Sequence, residues 1–277
     1  MSAADAYWAK VDATTSARAR RNQAEGGGRW DRRAAFFRLD PRRQPDRNLS
    51  ALMARIEPDD VVLDIGGGAG RVSLPIALKC REVVNVEPSP GMREQFEASA
   101  AEAGIANARV VAGHWPEAAG EVRGAVSVVA NVTYFVREIV PFLEGLNRAT
   151  SRLVIVSVWS TPPPSQPAKL HELVFGEPLP QAPSHRDLLP VLWEMGHLPE
   201  VQVLPEPFRA RTWPQTREEA VTLAIGTVDA EGEPGARERV EAHFDTLFAS
   251  TDRGFRPLWV PDVREMLISW NPSERLT

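Results

Sequence analysis

Hydrophobic and polar positions fall into alternating blocks along most of this chain. Short apolar runs rich in Val predict buried strands at 61–65, 83–87, 108–112, 125–131 and 152–159. Between them, apolar positions recur at helical spacing over 71–80, 90–103 and 136–149. Strand and helix taking turns in this way argue for a parallel sheet covered on both faces. Upstream, residues 2–24 predict an Ala- and Arg-rich helix ended by Gly26, Gly27 and Gly28, then an amphipathic stretch from Trp30 to Leu39. Asp46 to Ile56 make a further helix leading into the first strand. Downstream the pattern is looser. Ser160 to Pro183 holds seven prolines and predicts a loop with a short helix near Leu170. His185 to Met195 is a helix stopped by Gly196, and residues 201–204 are a strand candidate. Pro214 to Ile225 and Pro234 to Phe248 look helical, and Val263 to Trp270 alternates weakly as a last strand.

The junction after the first strand carries the chemistry. Val61-Val62-Leu63-Asp64-Ile65 runs straight into Gly66-Gly67-Gly68-Ala69-Gly70. Glycine is required where backbone takes φ > 0 or lies against a ligand with no Cβ in the way. A strand, a tight glycine turn and a helix start make a nucleotide-binding corner. The spacing is G-x-G-x-G, and Arg71 stands where a dinucleotide fold places its third glycine. Asp64 lies two residues before Gly66. A negative charge there repels a pyrophosphate and suits a cationic ligand. The next apolar run, Val83-Val84-Asn85-Val86-Glu87, ends in an acid 23 residues after Asp64. That is close to the length of one strand–helix–strand unit, about 30 residues. Glu87 can accept hydrogen bonds from both ribose hydroxyls, as an acid does in dinucleotide enzymes. Pro88-Ser89-Pro90-Gly91-Met92 opens another helix, with Ser89 as N-cap and Pro90 at its first position.

On these residues the chain resembles the class I S-adenosylmethionine-dependent methyltransferases, whose first motif is a strand ending in acid-x-Gly-x-Gly-x-Gly. Glu-Pro-Ser followed by Gly-Met is similar to that family's continuation. The resemblance covers about residues 46 to 205. It implies an α/β fold: a Rossmann-like seven-stranded, mostly parallel sheet with helices on both faces and an antiparallel last strand. Residues 1–45 become an N-terminal helical extension, either packed on the sheet or closing the pocket as a lid. Residues 46–277 become the methyltransferase domain, with a helical insertion over about 206–260. The implied cofactor is S-adenosylmethionine. Asp64, Gly66, Gly67, Gly68 and Gly70 would form its loop, and Glu87, Pro88, Ser89 and Met92 its adenosine side. Gly113, His114 and Trp115, at the end of the third strand, would meet the adenine, although the family often carries an acid where His114 stands. Asn131 and Val132, at the end of the fourth strand, would meet the methionine part. Trp8, Arg33, Tyr134 and Trp159 are the candidates on the acceptor side. The implied reaction is in-line transfer of a methyl group to a small molecule. No residue announces itself as a catalytic base: His171, His185, His197 and His243 fit surface or capping roles better. The fourth strand lacks the Asn/Asp-Pro-Pro-aromatic sequence of enzymes that methylate amino groups of DNA bases. Two other readings stay open: an NAD(P)-dependent oxidoreductase of Rossmann type, and a protein that binds S-adenosylmethionine without transferring the methyl group.

Composition narrows the partners. The chain has 277 residues, 43% hydrophobic and 25% charged, as expected of a globular protein. Its formal net charge of −5 disfavours nucleic acid as a partner. Residues 18–47 hold ten Arg against four acids, a local +6 that leaves −11 elsewhere. That segment is either a solvated face or a lid whose arginines grip an anionic group on the substrate. Cys80 is the single cysteine, which fits a reducing cytosol. No apolar run is long enough to span a bilayer, so no membrane partner is expected. No cluster suits a metal ion. A homodimer stays open.

Overall fold

The strand-forming runs are apolar on both faces because both faces are covered. In the computed structural model, which describes residues 1–21, 34–207 and 212–276, Val62, Leu63, Val83, Val84, Val126, Val128, Val129 and Val154 are all fully buried. The strands are β1 (Val61–Ile65), β2 (Glu82–Glu87), β3 (Ala108–Ala112), β4 (Gly124–Ala130), β5 (Thr150–Trp159), β6 (Glu200–Pro207) and β9 (Arg264–Trp270). They make one seven-stranded sheet in the order β3-β2-β1-β4-β5-β9-β6. Only β9 runs antiparallel to its neighbours, pairing Val156 with Ile268 on β5 and Val201 with Ile268 on β6. The order reverses between β1 and β4, the switch point where open sheets of this kind bind ligands at the strands' carboxyl ends.

Alternating residues send their side chains to opposite faces. One face carries α2 (Arg47–Met53), α3 (Ser73–Ala77) and α4 (Pro90–Glu102), through Leu52, Ile76 and Phe96 against Val62, Val126 and Ile155. The other carries α1 (Ala3–Arg21), α5 (Ile139–Ala149) and α7 (His185–Glu194), through Tyr7, Leu143 and Leu188 against Leu63, Val129 and Val156. Burying each such side chain stabilises the fold by roughly 1.5–3 kcal/mol. α4 starts as its sequence dictates: the Ser89 hydroxyl accepts from the Met92 N–H at 3.2 Å, and Pro90 occupies the first turn. α1 is pinned on this second face by Lys10 to Asp187 at 2.7 Å and by the Ala3 N–H to Glu194 at 3.0 Å.

The insertion between β6 and β9 departs from the expected helical composition. It contains α8 (Arg217–Thr227), α9 (Ala236–Ala242) and α10 (Phe244–Leu247), then a hairpin of β7 (Phe248–Thr251) and β8 (Gly254–Pro257). The helix expected over 234–248 breaks at His243, and Phe248 begins a strand. Phe248 stacks on Phe244 at 4.9 Å and meets Trp259 edge-on at 4.9 Å, so the aromatic packing holds it outside the helix. This unit has its own core, and α6 (Ala168–Phe175), which follows β5, joins it through Leu170 and Val174. Both β5 and β6 run opposite to β9, so α6 and the insertion leave the sheet at the same carboxyl edge. The stretch from Trp30 to Leu39 lies partly outside the described residues. From it, Ala34–Phe37 form a 3-10 turn.

Candidate functional site

The glycine run makes a bend with left-handed backbone at Gly66, Gly68 and Gly70, where φ is 71°, 56° and 79°. The Gly66 N–H continues the ladder by donating to the Val86 carbonyl at 2.8 Å, and the Gly70 N–H closes a turn on the Gly67 carbonyl at 3.0 Å. Gly70 packs where a Cβ would strike Leu74 and Phe96 at 2.6 and 2.7 Å. Gly66 lies against Val132, whose Cγ2 would be 2.8 Å from such a Cβ. The structure therefore brings Val132, from the end of β4, onto the bend.

Glu87 closes the adjoining corner. Its carboxylate accepts from the Gly68 N–H at 3.0 Å and from the Ser89 N–H at 2.9 Å. The same side chain ties the bend to the start of α4. Arg93 holds the outer turn by donating to the carbonyls of Glu87 and Pro88 at 3.0 and 2.7 Å. Pro88 is exposed, whereas Met92 is buried with Ala69 and with Ala34 of the N-terminal segment. That segment continues along α4, where Arg38 pairs with Glu102 and Arg42 reaches the Ala103 carbonyl at 2.8 Å.

Asp64 sits beneath the bend and is 1% exposed. A Cβ on Gly67 would fall 2.1 Å from its Oδ2. Its two oxygens lack a hydrogen bond of good geometry, and the buried Ser73 hydroxyl is the donor nearby. Burial pushes the carboxyl up to about 6; the Ser73 hydroxyl and the Arg71 charge oppose the shift, and Glu87 adds to it. Beside it lies Asn85, 0% exposed, whose Nδ2 donates to the Gly68 carbonyl at 3.0 Å. Asn85 belongs to none of the motifs named above; its one sequence signal is a lone polar residue inside Val83-Val84-Asn85-Val86.

At the end of β4 the backbone turns sharply. Asn131 has φ 62°, a conformation Asn tolerates better than most residues, and its N–H donates to the Ser157 carbonyl at 2.9 Å. The Tyr134 hydroxyl donates to Asn131 Oδ1 at 3.1 Å and accepts from the Trp159 N–H at 2.5 Å. Asn131, Tyr134 and Trp159 are thus one connected group. Tyr134 is buried, which raises its phenol far above the ordinary value and keeps it protonated. Tyr7 of α1 reaches the same loop, donating to the Thr133 carbonyl at 2.6 Å. Trp8 stays 39% exposed with the Arg137 guanidinium 4.4 Å over its ring.

On the third strand, Gly113 and His114 follow β3, and His114 is exposed. The Trp115 indole is held on α5: its Nε1 donates to the Phe142 carbonyl at 3.1 Å, and a Cβ on Gly145 would meet that nitrogen at 3.0 Å. Arg33 lies outside the described residues. His171 and His197 are buried with a ring nitrogen on a main-chain carbonyl, and His243 sits on the carbonyl of Arg239, as capping or core histidines do. Among the described residues no group of His, Cys, Asp and Glu is placed to hold a metal ion.

Residues 62–152 match the family model described as a methyltransferase domain, a span from β1 into β5 that includes the glycine bend, Glu87 and Asn131. No curated protein matches the chain. Solved structures share the fold at low identity. The YcgJ protein from Bacillus subtilis superposes with a TM-score of 0.53 at 16% identity, over 83% of this chain and 99% of that one. An S-adenosylmethionine-dependent methyltransferase from Thiobacillus denitrificans, in complex with S-adenosyl-L-homocysteine, gives 0.50 at 15%, over 89% and 99%. The domain match sets aside the nicotinamide reading that the glycine run had left open. Residues 62–152 are thus a methyltransferase domain by that match, and the sheet that carries them has the fold these solved structures share.

Proposed function

We propose that this methyltransferase binds S-adenosylmethionine across the bend between β1 and β4 and methylates a small molecule held over the carboxyl ends of β4 and β5. The observation that carries this reading is Glu87, a carboxylate aimed by two backbone N–H groups at the rim of a bend without side chains. A carboxylate has about four acceptor positions, and Glu87 is placed to receive the ribose hydroxyls. Gly66 and Gly68 let backbone approach the ligand. Pro88, Ser89 and Met92 border the adenosine, with Gly113, His114 and Trp115 beyond it on the adenine side. The turned backbone at Asn131, with Val132 against Gly66, faces the methionine part. Trp8, Tyr134 and Trp159 belong to the acceptor side, where Tyr134 fixes the wall by its two hydrogen bonds.

When bound, the cofactor supplies a methyl group already activated by a sulfonium. The chain's share is alignment: holding reacting atoms about 3–3.5 Å apart accounts for several kcal/mol of the barrier. A small acceptor suits the charge balance, since the chain outside residues 18–47 carries −11 and would repel a phosphate backbone. A cytosolic location suits a single buried cysteine, and no described helix is long and apolar enough to cross a membrane. Dialysed protein, heated with S-adenosylmethionine and separately with NADH, tests the reading. Stabilisation by the first is expected, at about 2.7 kcal/mol when ligand stands 100-fold above its Kd. Stabilisation by NADH alone overturns it.

A further inference from the structure

Beneath the bend, three buried acceptors share one hydroxyl donor, Ser73. Asp64 Oδ1, Asp64 Oδ2 and Asn85 Oδ1 are all buried and lack partners. Asp64 Oδ2 and Asn85 Oδ1 lie 2.1 and 2.7 Å from one point, the place a Gly67 Cβ would occupy. Asn85 cannot relieve this by turning its amide. Its Nδ2 already serves the Gly68 carbonyl, and rotation would set Oδ1 against that carbonyl instead. One amide thus has two acceptors to satisfy. A buried acceptor left unpaired costs about 1–3 kcal/mol. The buried Ser73 hydroxyl can give its one hydrogen to a single Asp64 oxygen, which leaves the other Asp64 oxygen and Asn85 Oδ1 short of a hydrogen, and Asp64 is the group that can acquire it.

We propose that in the empty protein Asp64 takes up a proton on the acid side of neutrality, donating it to Asn85 Oδ1, and that docking of the positively charged sulfur nucleoside over the bend expels this proton to solvent. The inference rests on the cofactor reading above and adds a proton to it. The other charged groups around Asp64 are Glu87 on β2, which favours the protonated form, and Arg71 beyond the bend, which opposes it; the Ser73 hydroxyl opposes it too. Asn85 is a positioning residue: it holds the Gly68 carbonyl and receives the acid's hydrogen. A cation held there would favour the ionised carboxylate, and the balance is one O–H bond broken and one proton gained by buffer.

Carbon-13 NMR of aspartate-carboxyl-labelled protein without cofactor tests the first half. One resonance should titrate with a midpoint near 6 and vanish in Asp64→Asn. Calorimetric titration with S-adenosylmethionine at that pH, in two buffers of different ionisation heat, tests the second half. Wild type should release a fraction of a proton per molecule bound, and Asp64→Asn, whose amide supplies the hydrogen permanently, should release none and bind at least tenfold more weakly. Every aspartate titrating in the ordinary carboxylate range would overturn the proposal, as would equal proton release from both proteins. Should the cofactor fail to bind wild type, the functional reading falls with the coupling, while the NMR titration still decides the state of Asp64.

Discussion

Three residues around the bend do different work, and substitution separates them. Glu87 holds the bend to α4 and is proposed to meet the ribose, so Glu87→Ala should weaken S-adenosylmethionine binding by roughly 1.5–3 kcal/mol, about 10- to 150-fold, in calorimetry. Gly67 and Gly68 are neighbours with opposite consequences. A Cβ at Gly67 points inward, 2.1 Å from Asp64 Oδ2, so Gly67→Ala should destabilise the fold itself by about 1–3 kcal/mol in urea. At Gly68 the nearest atom is Met92 Sδ at 3.5 Å, so Gly68→Ala meets no clash and costs only the strain of φ 56°, about 1–2 kcal/mol. That variant should fold and lose cofactor binding. Undiminished stability in Gly67→Ala, or unchanged cofactor affinity in the Gly68 variant, would show that the two glycines do not face opposite sides of the bend.

Whole elements depend on polar ties at their ends. Trp270 Nε1 donates to Asn147 Oδ1 at 2.9 Å, which fixes that amide and leaves its Nδ2 donating to His197 Nε2 at 3.0 Å. His197 must then be neutral and protonated on Nδ1, facing the Glu274 carbonyl at 3.3 Å. It fastens α7 to the segment after β9, with the Leu276 N–H to the Gly196 carbonyl at 2.8 Å beside it. Burial lowers the His197 pKa, so its contribution is present above the ordinary imidazole value of 6.5 and is lost as pH falls. Between pH 7.5 and 5.5, wild type should therefore lose more stability than His197→Phe in urea denaturation. Asp64 works in the opposite direction over the same window, so the difference between the two proteins isolates the histidine. Equal slopes would contradict it. The first five strands were legible because burial on both faces makes them continuous apolar runs. β7 was not: Phe244, Leu247 and Phe248 sit at helical spacing, and only contacts with Phe255 and Trp259 reveal the hairpin. Asp64 and Glu87 stood out as acids ending apolar runs. The bond from Tyr7 to Thr133 spans 126 residues and has no local signature.

At the scale of the molecule, two additions surround one sheet edge. α1 reaches the loop after β4 through Tyr7, and α6 with the insertion leaves the carboxyl ends of β5 and β6. The sheet fixes the glycine bend, and we propose that these additions shape the acceptor side. The most direct test of the account is a crystal structure of the protein with S-adenosylhomocysteine. The expected result has the ribose hydroxyls on the Glu87 carboxylate, the amino-acid part between Gly66 and Asn131, and an open cavity beside the sulfur bordered by Tyr134 and Trp159. Ligand density anywhere other than the bend, with Glu87 untouched, would contradict it.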